Sequence, residues 1–185
     1  LKRCRYAKGT YPPYGKMYWV ERIKTRTPDL QRAIVKAIKL NSNRMLDIPL
    51  PFFGVRGIRM LAKRMRRWEA RFGSHRAALN LAQVVRMLEE IGTGGAGFRF
   101  MYAAFLQEAA GVLGLPGFRA YAVQMTEAGD RWRDFAAAAG RKFKNRGEAI
   151  CTYDELADKL MKIAGAEESI FHALRKAVLE FKIRN

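Results

Sequence analysis

Two cysteines, Cys4 and Cys151, and two histidines, His75 and His172, supply all the thiol and imidazole chemistry in a chain of 185 residues. Nucleophilic catalysis needs a thiolate with a base in reach. Cys4 sits between Arg3 and Arg5, and Cys151 stands just before a helix start; both are settings that suit a reactive cysteine. Cys4 lies at a chain terminus prone to fraying, and both cysteines read first as inert thiols and His172 as a packing residue. The four side chains also match no metal-ligand spacing, and neither a metal nor another cofactor is expected. Glu89 and Glu90 precede a glycine-rich run and Glu108 follows it. They would make a carboxylate pair if the fold brought them together, and solvated helix faces if it did not.

That run, Gly-Thr-Gly-Gly-Ala-Gly-Phe-Arg at 92–99, is the strongest local signal. Gly92, Gly94 and Gly97 fit the spacing G-x-G-x-x-G, which in a dinucleotide fold lies between a strand and a helix. The residues before it, 78–91, place apolar side chains at helical spacing, which rejects that fold. What remains is helix, glycine loop, helix. Thr93, the amides from Gly94 through Gly95 to Gly97, and Arg99 would then be able to hold a phosphate or carboxylate at a helix N-terminus. The same glycines equally suit a plain helix hairpin that needs left-handed turn geometry.

The elements that must position these residues follow from composition and periodicity. A hydrophobic fraction of 49% in 185 residues supports one sizeable core. No apolar run is long enough to span a bilayer and no signal segment opens the chain, so a cytoplasmic, reducing setting is expected. The chain opens on Leu1 rather than Met and is expected to be a piece of something longer. Its net charge of +18 is unevenly spread. Residues 1–76 hold 20 Lys and Arg against 4 Asp and Glu, and residues 77–185 hold 15 against 13.

Turn chemistry at 8–15 and an aromatic, β-prone run at 16–23 make residues 1–27 an extended arm or short strand. A lone strand needs partners, and none is evident downstream. Residues 28–185 read as an all-α domain of about six helices in an irregular bundle. Thr27 caps the first, with Pro28 at its first position, and it runs toward Met45. A second starts near Gly54 and carries Ile58, Leu61, Ala62, Met65 and Trp68 on one face. Arg56, Arg59, Lys63, Arg64, Arg66, Arg67 and Arg71 occupy the other, the densest cationic surface in the sequence. Further helices cover 98–112 and 118–139, a basic loop covers 140–147, and a capping box at Thr152 opens a last helix that Gly165 interrupts or kinks. The cationic face fits a solvated helix surface, an acidic protein partner, or nucleic acid or an anionic membrane.

Three stretches together, Phe53-Gly54-Val55-Arg56-Gly57-Ile58, the run from Ile91 to Arg99, and Met101-Tyr102-Ala103-Ala104-Phe105-Leu106-Gln107-Glu108-Ala109-Ala110, resemble the C-terminal helical domain of BtrH-like proteins, typified by the butirosin-biosynthesis acyltransferase. The resemblance covers most of residues 28–182, and the glycine run with its trailing Phe98 and Arg99 is its most specific part. Ala96 departs from the pattern, standing where another glycine is expected. The resemblance implies an upstream domain like a cysteine peptidase of the papain type, which holds the Cys and His, and for the whole protein acyl transfer from an acidic acyl-carrier protein to an amine. This chain is then the accessory helical half. It shapes the upstream site and docks the carrier through Arg56, Arg59, Lys63, Arg64, Arg66 and Arg67, by itself without catalytic residues that can be assigned. The alternatives are a nucleic-acid-binding helical protein using the basic face of 56–76 and an oligomerisation module forming a homo-oligomer.

Overall fold

The computed structural model describes residues 6–10, 12, 14–16, 19–21, 29–147 and 150–184, the side chains of 182–184 excepted. Cys4, half of the aromatic run at 16–23 including Tyr18, and Thr27 and Pro28, the expected cap and first helical residue, lie outside them. Among the described residues there is no strand, and six α-helices form an irregular bundle. They are α1 (Leu30–Leu46), α2 (Gly54–Met65), α3 (Trp68–Glu89), α4 (Arg99–Leu113), α5 (Phe118–Lys144) and α6 (Tyr153–Arg184), with one 3-10 turn, Ala96–Phe98, before α4. No helix is long and apolar enough to cross a membrane.

The two longest helices organise the rest. Helix α6 packs against α1, α2 and α5, while α5 packs against α3 and α4. Their apolar stripes serve two buried clusters in succession. At one end Trp132 and Phe135 of α5 meet Leu156, Leu160 and Ile163 of α6, with α2 and α3 closing over them. At the other end Phe118 and Met125 of α5 meet Ile170, Leu174 and Val178 of α6, covered by α1 and α4. Burying such side chains is worth about 1.5–3 kcal/mol each, which is what holds helices with modest local propensity in place.

Helix ends follow local chemistry, and several differ from expectation. Asp29, not Thr27, is the cap of α1: its carboxylate accepts the Arg32 N–H at 3.0 Å. The second helix stops at Met65 and Trp68 starts a new one, because the backbone tightens at Arg67, whose N–H bonds to the Arg64 carbonyl at 3.0 Å. Residues 140–144 continue α5 rather than forming a loop. The stop is supplied by Asn145, which takes the left-handed conformation (φ 49°) while Arg146 N–H bonds back to the Arg141 carbonyl. Gly165 does not interrupt α6, which runs unbroken for 32 residues. The capping box at its start is present: Thr152 N–H reaches Glu155 Oε2 at 2.7 Å and Glu155 N–H reaches Thr152 Oγ1 at 3.2 Å. Those bonds hold the Glu155 carboxyl below its ordinary range.

Helix α3 bends sharply at Gly73, whose φ of 77° and ψ of 162° belong to a region only glycine enters freely. Nothing stands where a Cβ would go, so any penalty for a side chain is purely conformational. Gly73→Ala should therefore cost about 1–3 kcal/mol in denaturant unfolding. A loss below a few tenths would show that the bend is not maintained in solution.

Candidate functional site

Two polar features stand out from the packed helices, and both involve residues singled out by sequence. The first is the glycine loop. Glycines 92, 94, 95 and 97 all have positive φ, as do Ala96 (51°) and Phe98 (71°). A non-glycine residue holds that conformation only when its surroundings enforce it. Thr93 is buried, donating its hydroxyl to the Leu88 carbonyl and accepting the Gly95 N–H at 3.2 Å. The Ala96 N–H bonds to Glu89 Oε1 at 3.1 Å, and Arg133 stands 3.9 Å from the other Glu89 oxygen. Glu89 thus acts on the loop, while Glu90 is exposed and Glu108 lies out on the exposed side of α4.

Arg99 completes the loop from the far side. Its Nη1 donates to the Gly97 carbonyl at 2.7 Å, and its Nε and Nη2 donate to the two oxygens of Glu167 at 2.7 and 2.9 Å. The Trp132 indole N–H adds a third bond to Glu167 Oε1 at 2.7 Å, and the guanidinium lies 5.1 Å from the centre of the Trp132 ring. Glu167 is fully buried. This fork-on-carboxylate geometry is the strong form of the ion pair. Of the groups expected to hold an external anion, Thr93, the amides of Gly95 and Ala96, and Arg99 each meet a partner within the protein, and the carboxylate that Arg99 meets is that of Glu167. Thr93, Gly94, Gly95, Gly97 and Arg99 are brought together, and they form an internal clasp from the loop to α6.

Glu167 had no role assigned from sequence, yet a signal was there. On α6 the apolar residues Leu156, Leu160, Ile163, Ile170, Leu174 and Val178 recur at spacings of three and four, and Glu167 occupies the vacant step of that series. A charge in an apolar register implies a buried partner. The clasp falls between the two apolar clusters, with Ala164 of one and Ile170 of the other flanking it along α6.

The second feature is a cationic cleft of about 850 Å³ at the junction of α2 and α3. Lys63 and Arg64 come from the last turn of α2, where cations suit the helix dipole. Arg66 and Arg67 form the turn, and Arg71 and Phe72 follow it. The bend at Gly73 redirects α3, so that Asn80 beyond it lines the same cleft. Met60, Leu61 and Trp68 supply the remaining wall, which contains no Asp or Glu. Arg71 stands 5.3 Å from the centre of the Phe72 ring, a cation–π arrangement.

Of the six residues expected to dock a partner, Lys63, Arg64, Arg66 and Arg67 line the cleft, and Arg56 and Arg59 do not. Arg59 turns inward and binds Glu168 of α6 through two bonds of 2.7 Å, holding that carboxyl below its ordinary range. Arg66 bridges Asp154 and Asp158 of the same helix while still bordering the cleft. Arg56, Lys63, Arg64 and Arg67 are exposed, and none makes an ion pair among the described residues. Arg71 joins them through the position of α3.

The candidate nucleophile and base are not brought together. Cys151 precedes α6 and packs against the core, whereas His172 lies far along the same helix with Nδ1 3.3 Å from Arg175. At 1.5 Å per residue the two are separated by roughly 30 Å. His75 is exposed on α3. Among the described residues, no group of three or more His, Cys, Asp or Glu could hold a metal ion.

A family model described as "Domain of unknown function (DUF4872)" matches residues 1–174. No curated protein matches the chain, and no solved structure does.

Proposed function

We propose that this chain, which belongs to the family described as "Domain of unknown function (DUF4872)", is the helical accessory half of a BtrH-like acyltransferase, docking an acidic carrier protein through the α2–α3 cleft. The observation that carries this reading is the cleft wall, where Lys63, Arg64, Arg66, Arg67 and Arg71 converge with no carboxylate among them. Like charges crowded on one concave surface repel, and an acidic partner relieves that repulsion while its approach is accelerated by the field. Of the cleft arginines, Arg66 also meets Asp154 and Asp158 of α6, as Arg59 outside the cleft meets Glu168, which leaves Lys63, Arg64, Arg67 and Arg71 as the cleft's cations without an ion pair among the described residues. The bonds of Arg59 and Arg66 fix the cleft wall to the body of the domain. The acyl-transfer chemistry belongs, in this proposal, to an upstream papain-like domain whose site these helices shape. It rests on the resemblance of the stretches around Gly54 and Gly94 and on the separation of Cys151 from His172.

Titrating the 185-residue protein against a purified acidic acyl-carrier protein tests the docking. Arg64→Glu/Arg67→Glu should weaken the complex by about tenfold or more, roughly 1.4 kcal/mol, and make it less salt-sensitive, with helical content unchanged. Equal affinity in the double variant would overturn the assignment of the cleft. A single-stranded oligonucleotide run alongside separates the rival. Tighter binding to it, with a salt slope that shrinks as each arginine is removed, would make the cleft a nucleic-acid surface instead.

A further inference from the structure

We infer that the turn between α1 and α2 docks this domain on an anionic membrane surface, with Leu50, Phe52 and Phe53 entering the lipid interface. These side chains are 45, 58 and 47% exposed. The two phenylalanine rings lie 4.9 Å apart, and the Phe53 N–H bonds to the Leu50 carbonyl at 3.3 Å, so the three belong to one tight turn. That turn is fixed on both sides. Asp47 before it binds Arg175 of α6 at 2.7 Å. After it, Gly57 sits so close that a Cβ there would lie 2.6 Å from the Phe52 carbonyl oxygen. Large apolar side chains grouped at the surface mark an interaction site, and a backbone ordered beforehand lowers the entropy lost when they are buried.

Two observations select lipid as the occupant. The first is the backbone of the turn. A lipid interface penalises N–H groups that lack an acceptor, whereas a protein partner can supply one. Pro49 and Pro51 have no N–H, and that of Phe53 is bonded within the turn, which leaves Leu50 and Phe52 as the unbonded donors of residues 49–53. The second is surface charge. Residues 30–68 contain one acid, Asp47, and Arg175 already holds it. Arg44, in the last turn of α1, and Arg56, in the first turn of α2, are exposed and make no ion pair among the described residues. The helices that carry them meet beside the turn, where Gly54 packs on the Met45 carbonyl. Helix α2 also opens without a side-chain cap or an acid in its first turn, so the positive pole of its dipole adds to these charges. Lipid phosphates supply the missing negative charge at the level of the arginines, while the acyl boundary takes the apolar tip.

Co-sedimentation of the 185-residue protein with lipid vesicles tests the contact. Binding should be about tenfold or more tighter to phosphatidylcholine vesicles containing phosphatidylglycerol than to phosphatidylcholine alone, and should weaken in added salt. Phe52→Ser/Phe53→Ser, at exposed positions, should weaken binding to the anionic vesicles by about tenfold or more with unchanged circular dichroism, and Arg56→Glu by about fivefold or more. Phe52→Trp should show an indole emission that moves to the blue when anionic vesicles are added, beyond any shift of the parent protein. Arg64→Glu/Arg67→Glu should leave that shift in place, so this inference and the carrier cleft fail by separate measurements. Equal binding to both kinds of vesicle, or full binding by the phenylalanine variant, would overturn the inference. So would a phenylalanine variant that keeps its affinity for vesicles and loses it for the acyl-carrier protein, which would make the turn a protein-docking surface.

Discussion

Glu167→Ala should lower the free energy of unfolding by about 3–5 kcal/mol, read as a fall in the urea midpoint at unchanged slope. The carboxylate is 0% exposed and accepts three hydrogen bonds, two from Arg99 and one from Trp132. Its removal leaves a guanidinium facing an apolar seam and an indole N–H without its acceptor, and the penalty is dominated by what is left unpaired. Glu167→Gln keeps the shape and can still accept the Trp132 bond, so its loss should be smaller. The informative variant is the double replacement Arg99→Met/Glu167→Leu. If the pair chiefly secures loop geometry, removing both charges restores most of the stability, since buried pairs gain little net over packed apolar groups. A single alanine variant as stable as the parent would mean that the clasp is not closed in solution.

Gly54→Ala should be nearly as damaging, at about 3–5 kcal/mol, for a steric reason. Gly54 opens α2 at φ 55°, and a Cβ there would lie 2.2 Å from the Met45 carbonyl oxygen and 2.8 Å from its carbon. Both obstructing atoms are backbone, so no side-chain rotation relieves the overlap; α1 and α2 must separate. Because α2 carries Val55, Ile58, Ala62 and Met65 into the core, that separation disturbs packing along its length. Gly73→Ala, at a site with open space, is the internal comparison. Comparable losses for the two would show that conformation, not overlap, sets the penalty at Gly54.

The helical class and most of the helix positions were legible because amphipathic periodicity, the capping box at Thr152 and the glycine run leave local signatures. Two of the boundaries that differ, at 140–144 and at Gly165, share one cause. Gly140 and Gly165 were read as breaks, but a single glycine inside a long helix costs only about 1 kcal/mol against alanine, and the packing of α5 and α6 outweighs it. Gly73, by contrast, is where the backbone does turn, and nothing in its immediate neighbours distinguishes it from the other two. The cationic face was visible as a stripe, yet its division was not. Which arginines of α2 and the turn after it reach α6 depends on acids about a hundred residues away, Glu168 for Arg59 and Asp154 for Arg66. Arg99 is expected from type and context to meet an anion, and within the chain it meets Glu167. Its partner lies 68 residues on, a pairing that helical periodicity alone does not reveal.

Helices α5 and α6 serve both core clusters, and they are made last. Synthesis adds about 5–20 residues per second from the N-terminus. Residues 29–113, with α1 to α4, therefore leave the ribosome before either long helix is available to cover their apolar faces. For that interval the nascent chain already carries most of its positive charge, 22 Lys and Arg against 7 Asp and Glu in residues 1–113, without its full core, next to a polyanionic RNA surface. Its final structure waits on α5 and α6, residues 118–184. Until Glu167 has emerged, Arg99 has no carboxylate to bind and the glycine loop has no tie to the rest of the fold.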